Sequence, residues 1–330
     1  MSAGFANITI GRADGSGAIT LAGNVTFSSP VKLQSPVGTG SINTTGFSVN
    51  NNSANNASIT LLANKNITTG NITSNTTSGT SPSSITITSN NGSVNTSAGT
   101  LTATSSNGNG GVVSISGSGN IVTGNITSNP SSKATASITI TSSSGSINTS
   151  AGALNVSNSS TGNGGAIALN ANSDITTANL SSNAGSNGAG GNIALTSTTG
   201  KIDTSAGDIN SYGQLGIGGS VNLTAGGDIK TRNINASATG YFNSGNITIT
   251  SNSGGINTTN GSLQAKATTG NGGAIQLTAR NDIVTASLLT NSVGNSTNTS
   301  GNITLKSTAG NIDTNAGTID TSSSTAAGGA

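Results

Sequence analysis

The sequence predicts an all-β protein: a right-handed parallel β-helix, or β-solenoid, with three short strands per coil and coils of about 27 residues. Three observations lead there. First, a motif Ile/Val-x-Leu/Ile recurs with its first residue at Ile59, Ile85, Val113, Ile138, Ile167, Ile193, Val221, Ile247, Ile275 and Ile303. Second, two more aliphatic columns keep fixed distances from it. One runs from Ile67, Val94 and Ile121 to Ile312 at alternating offsets of 8 and 9, the other from Ile72, Leu101 and Ile126 to Ile319 at further offsets of 5 and 7. Third, two coil types therefore alternate in a 54-residue double repeat, and all length variation sits between the third column and the next coil. A disordered chain has no reason to hold such a register, whereas a stack of coils that bury one another's faces demands it.

Each column reads as one strand. Alternation of aliphatic with Ser, Thr or Asn is the period-2 pattern of a half-buried strand. Coils then stack at about 4.8 Å, giving a rod of roughly 55 Å. The right-handed turn follows from the handedness of parallel crossovers.

The elements come in this order. Residues 1–30 read as an irregular N-terminal coil or cap, with Ile8/Ile10, Ile19/Leu21 and Val25/Phe27 as strand-like pairs and Phe5, Phe27 and Phe47 as bulky residues to plug the core. Val31 lies one coil length before Ile59, so the array is expected over 31–320. Residues 321–330 read as a Ser/Ala/Gly tail, and the open last coil as a stacking hazard. Corners are marked by glycine. Gly108-Asn109-Gly110-Gly111, Gly162-Asn163-Gly164-Gly165 and Gly270-Asn271-Gly272-Gly273 share one corner, and Gly216-Ile217-Gly218-Gly219 holds it without the Asn. Gly99, Gly152, Gly207, Gly261 and Gly317 share another. Such positions need either a positive φ or close backbone approach. Asn71, Asn125, Asn179 and Asn233 are expected to form a side-chain ladder between coils.

Composition narrows function. Ser, Thr, Asn and Gly supply 203 of 330 residues, charged residues 5%, and there is no His, Cys, Trp or Glu. His- and Cys-dependent catalysis, zinc, haem and iron–sulfur sites in their usual forms are excluded. A net charge of +2 makes no basic patch for nucleic acid. No run of 18 apolar residues predicts membrane insertion, and residues 1–30 lack a signal-peptide core.

Several motifs bear on chemistry. Asp174, Asp228 and Asp282 precede second-column Ile residues 54 apart, with Lys201 between the first two. Two coils separate successive members, about 9.6 Å, too far to share a cation. A solvated turn column is the expected role. Asp203 and Asp228 lie on adjacent coils about 8 Å apart by strand geometry, within the span of an inverting glycosidase pair. No aromatic sugar platform and no third acid accompany them. Asp14-Gly15-Ser16-Gly17 lacks the further acids of a calcium loop and reads as a turn. The Gly-Asn-Gly-Gly corners carry no Lys and open no helix, so they are not phosphate cradles. Sequons such as Asn66-Ile-Thr and Asn125-Ile-Thr arise from composition. Thr86/Thr88, Thr139/Thr141 and Thr248/Thr250 suggest an ice-binding ladder, but Ser114/Ser116, Ala168/Asn170 and Asn222/Thr224 interrupt it. Tyr212, Tyr241 and Phe242 fall in corner loops, where they either contact a ligand or pack over the corner.

The segments Gly219–Thr231 and Gly245–Ser251 resemble the repeats of filamentous haemagglutinin-like proteins, large bacterial adhesins of the two-partner secretion class. The resemblance spans roughly residues 5–320. It implies a right-handed parallel β-helix, export across an outer membrane, an extracellular or cell-surface location and a stalk role. It supplies no catalytic residues. The secretion domain's Asn-Pro-Asn motifs are missing, Asn129-Pro130 being the sole Asn-Pro, so the resemblance implies a passenger segment. The expectation is a non-enzymatic structural stalk with no catalytic, cofactor or metal residues. Its partners would be surface glycans or proteins, or a second copy stacked end to end. A polysaccharide-binding or polysaccharide-cleaving β-helix, and a self-assembling filament subunit, are the alternatives.

Overall fold

The structure, a computed structural model, describes residues 5–79, 81–105, 110–129, 136–294 and 298–324. These residues form three parallel sheets of twelve strands each and no helix. Every third strand in sequence joins the same sheet, so one strand from each sheet makes a rung and twelve rungs make the rod. At about 4.8 Å per step the first and last rungs lie about 53 Å apart.

The three aliphatic columns are the register. Ile59, Ile85, Val113, Ile138 and Ile167 pair successively in the first sheet, and so on to Ile303. Ile67, Val94 and Ile121 do so in the second sheet, and Ile72, Leu101 and Ile126 in the third. Inner and outer residues alternate, as in Ser84–Ser89, where Ile85 and Ile87 are buried between half-exposed Ser84, Thr86 and Thr88. The result is one continuous apolar core.

The irregular N-terminal coil read over residues 1–30 stacks on the array. Ile8–Ile10, Ala18–Thr20 and Val25–Phe27 are a full rung, paired with Val31–Ser35, Ser41–Thr44 and Val49–Ser53. Its step to the next rung, from Ile8 to Val31, is shorter than the later ones, which is what makes the coil irregular in the sequence. Phe27 is buried in this rung, but Phe5 is 65% exposed and plugs nothing. At the other end the last rung, Ile303–Ser307, Ile312–Asp313 and Ile319–Asp320, leaves Ile312 and Ile319 nearly half exposed. Ser323 still bridges to Ser292. Pro130, Gly108, Asn109 and residues 325–330 lie outside the described residues.

The double repeat has a side-chain cause. Numbering rungs from Ile8, even rungs carry a buried Ser at the end of the first-sheet strand: Ser89, Ser142, Ser197 and Ser251. Each Oγ donates to a backbone carbonyl in the turn of the preceding odd rung, at Lys65, Gly119, Ser173 and Gly227. Odd rungs hold Ala63, Gly117, Ala171 and Ala225 in that register. The extra turn residue of even rungs is tied down by the same hydroxyl, which accepts the N–H of Gly145 or Gly254. Small residue and short turn thus alternate with Ser and longer turn.

The glycine columns work by close approach. A Cβ on Gly191, Gly219, Gly245, Gly273 or Gly301 would lie about 2 Å from the carbonyl oxygen of the corresponding Gly one rung back, as at Gly219, 2.2 Å from Gly191 O. Gly152 and Gly207 likewise abut the backbone N of Asn125 and Asn179, at 2.2 and 2.3 Å. None of these has a positive φ, so of the two expected reasons only the steric one applies.

A column that the sequence reading passes over runs inside the second sheet. Thr69, Thr96, Thr123, Thr149, Thr177, Thr204, Thr231, Thr258 and Thr285 are buried, and their Oγ1 atoms make no hydrogen bond. Neighbours repeat at the rung spacing of about 4.8 Å, too far for hydroxyls to pair. Its signal in the sequence is Ile-x-Thr in the second column, where β-branching suits a strand.

Candidate functional site

The aspartates of the 54-residue column are engaged with backbone. The Oδ1 atoms of Asp174, Asp228 and Asp282 accept the N–H of Lys201, Gly255 and Asn311, one rung on, at 2.9, 2.8 and 2.7 Å. Asn66 and Asn120 occupy the same column and do the same for Ser93 and Ser146. Carboxylate and carboxamide are interchangeable here because only one acceptor oxygen is used. The next corner has its own set: Asn71, Asn125, Asn179 and Asn233 accept the N–H of Thr100, Ala153, Asp208 and Ser262. This column therefore departs from the expected Asn-on-Asn ladder; Asn stands on every second rung and caps the rung between.

Asp203 sits on the second sheet in register with Lys230, two residues past Asp228. Its Oδ1 closes a turn by accepting both the N–H and the Oγ–H of Ser205. Asn148 and Asn257 close the same turn two rungs away on either side. Burial is the largest single influence on the Asp203 carboxyl and pushes it up, but the Ser205 hydrogen bonds, with Lys230 and Lys201, outweigh it and hold the group below the usual carboxylate range. A general acid needs the opposite shift. Asp203 and Asp228 thus serve two different turns. The shallow depression beside them, of ≈ 250 Å³, is lined by Asp228, Lys230, Asn257, Asp282 and Val284, its two acids already bonded to backbone.

The other motifs resolve likewise. Asp14 is paired in bidentate fashion with Arg12, Nε–Oδ1 2.8 Å and Nη2–Oδ2 2.9 Å, on an exposed turn. Among the described residues no three acids converge. Thr86 and Thr139 stand on either side of Ser114, and Thr139 is followed by Ala168, so no unbroken threonine face forms.

One corner departs from the polar pattern. The chain has only six aromatic residues, and three of them, Tyr212, Tyr241 and Phe242, lie at the corner after the third sheet on rungs 8 and 9. Tyr241 is 80% exposed, Phe242 42% and Leu215 46%. Leu215 has φ 52°, a left-handed conformation that costs a branched residue about 1–2 kcal/mol. A Cβ on Gly240 would lie 2.9 Å from Leu215 Cδ2 and 3.8 Å from Phe242 Cδ2, so both side chains gather over that glycine. Beside them the outer face of the third sheet forms a groove of ≈ 440 Å³ across four rungs. Tyr212 stands on rung 8, Asn235 and Ser237 on rung 9, Gln264 and Lys266 on rung 10, and Asn291 on rung 11.

No family model, curated protein or solved structure matches the chain significantly.

Proposed function

We propose that this chain is a non-catalytic stalk segment of a secreted or cell-surface filamentous adhesin, acting by holding a binding element at a distance. The observation that carries the reading is the unbroken run of twelve rungs in which outward Asp and Asn side chains are used to hold one rung to the next. Such a rod resists bending and shear through many parallel hydrogen bonds, each of modest net strength. The resemblance of Gly219–Thr231 and Gly245–Ser251 to filamentous haemagglutinin-like repeats supports it, since these segments fall on strands of the first and second columns: Val221–Ala225, Ile229–Thr231 and Ile247–Ser251.

Two measurements test the reading. Antibody raised against the chain should label intact cells of the source organism; labelling seen only after permeabilisation overturns the surface assignment. Incubation with neutral and acidic polysaccharides should release no new chain ends; release that disappears in Asp203→Asn overturns the non-catalytic assignment.

A further inference from the structure

We infer that the groove on the outer face of the third sheet, between Tyr212 and Asn291, is a binding site for an oligosaccharide lying along the rod axis. The inference is independent of the stalk reading, because it concerns a lateral ligand and not the rod's mechanics.

Four features of the groove select this ligand. Its lining is neutral amide and hydroxyl, from Asn235, Ser237, Gln264 and Asn291, with a single cation, Lys266. Asn235 Oδ1 and Ser237 Oγ each accept one backbone N–H, from Ser237 and Lys266, and Gln264 Nε2 donates to Ser262 Oγ, which leaves Asn235 Nδ2 and Gln264 Oε1 as an uncharged donor and acceptor to meet a polyhydroxylated chain. Half-buried Tyr212 lines one end, and a tyrosine ring brings an apolar face with a polar tip. The groove crosses four rungs, about 14 Å at the rung spacing, so its long axis suits a linear ligand. Finally, the backbone beneath it is saturated: the N–H groups of Ser211, Ala236 and Ala238 donate to Asn235, Gln264 and Lys266 carbonyls of the next rung. A peptide strand therefore finds no open edge to extend, and recognition falls to side chains.

The rim adds a second, separate argument. Equivalent corners on earlier rungs hold no aromatic residue and no Leu or Ile, yet here Leu215, Tyr241 and Phe242 are kept exposed, one of them at a strained φ. Thr239 joins rim to groove, its Oγ1 accepting the Leu215 N–H at 3.2 Å. Strain and apolar exposure that the fold does not require are marks of a contact surface.

The chain's aromatic poverty supplies the readout. With no Trp and two Tyr, the variant Tyr241→Phe, which keeps the exposed ring of the rim, leaves Tyr212 as the sole tyrosine emitter. This protein would be titrated with tetrasaccharides of neutral hexose, N-acetylhexosamine and uronate series. The expected result is a saturable change in Tyr212 emission with at least one series, the uronate arm reporting whether Lys266 takes a carboxylate. By calorimetry Tyr212→Phe should retain that binding, while Tyr212→Ala should weaken it at least about tenfold, the loss of one stacked, desolvated ring. Gln264→Ala, two rungs from the ring, should weaken it too and stands in where Tyr212→Ala folds poorly. No response from any series at millimolar concentration, or binding untouched by both Tyr212→Ala and Gln264→Ala, would overturn the inference.

Discussion

Asp228 Oδ1 accepts the backbone N–H of Gly255, one rung further along, at 2.8 Å. An acid whose spacing from Asp203 fits a glycosidase pair is thus a cap for its neighbour's turn. Two rungs away on either side, Asp174 and Asp282 repeat the bond, and Asn66 and Asn120 make it without charge.

Asp228→Asn should therefore leave the folded state nearly unchanged, whereas Asp228→Ala should cost roughly 1 kcal/mol, as the loss of a cap does. The midpoint of guanidinium unfolding for the two variants measures the difference. Equal destabilisation by Asn and Ala would show that the charge, not the acceptor oxygen, matters.

The buried threonine column makes the reverse kind of claim. Thr177 is fully buried and its hydroxyl is unpaired. Thr177→Val keeps the shape and removes a desolvated polar group, so it should stabilise the protein by about 1 kcal/mol. A loss of stability of similar size in the same unfolding measurement would mean that the hydroxyl has a partner.

Alternation of rungs predicts which deletions fold. Removing 167–220, one odd and one even rung, sets an even rung before an odd one, as everywhere else. Removing 167–192 alone stacks two even rungs and deprives the N–H groups of Lys201 and Asp208 of Asp174 and Asn179. The shorter deletion should lose roughly 2–4 kcal/mol relative to the longer one, one or two per orphaned donor. Thermal unfolding followed by circular dichroism ranks them; the opposite order would remove the basis for the double repeat.

Acid response should be confined to low pH. The chain has no His, Cys or Glu, so between about pH 5 and 8 no side chain of ordinary pKa titrates. Asp203, and Asp320 through its hydrogen bonds from Ser322, have folded pKa values below the unfolded one. The unfolded chain then binds more protons as pH falls below about 5, so stability is fully present above that and declines as pH falls through the lowered folded values. Asp203→Asn, which keeps the turn as Asn148 and Asn257 do, should flatten part of the decline. A melting temperature that falls already between pH 7 and 5 would contradict this.

Much of the rod is legible in sequence because its information is one-dimensional. Ile59, Ile85 and Val113 recur at one register, and a coil that buries its face only against its neighbours must repeat that register. The first rung shows in the sequence only as an irregular coil, because Ile19 lies further from Ile8, and Val31 closer to Val25, than the array's spacing. The glycines are recognisable as corners, but their cause is not, since a Cβ at Gly219 meets Gly191 O of a different coil and no local pattern reports that distance.

The sequence by itself determined the fold class, the three inward columns and the alternation of two coil types, because each depends on spacing along the chain. Only the tertiary structure decided what the outward groups do. Asp228 and Asp203 are both turn residues of a polar chain, but one reaches Gly255 on the next rung and the other closes on Ser205 in its own turn. Tyr212, Asn235, Gln264 and Asn291 belong to four successive coils, far apart along the chain, yet stacking brings them onto one face. Parallel stacking turns a whole coil of sequence separation into a step of about 4.8 Å, and side-chain partners across that step are set by packing rather than by sequence neighbourhood.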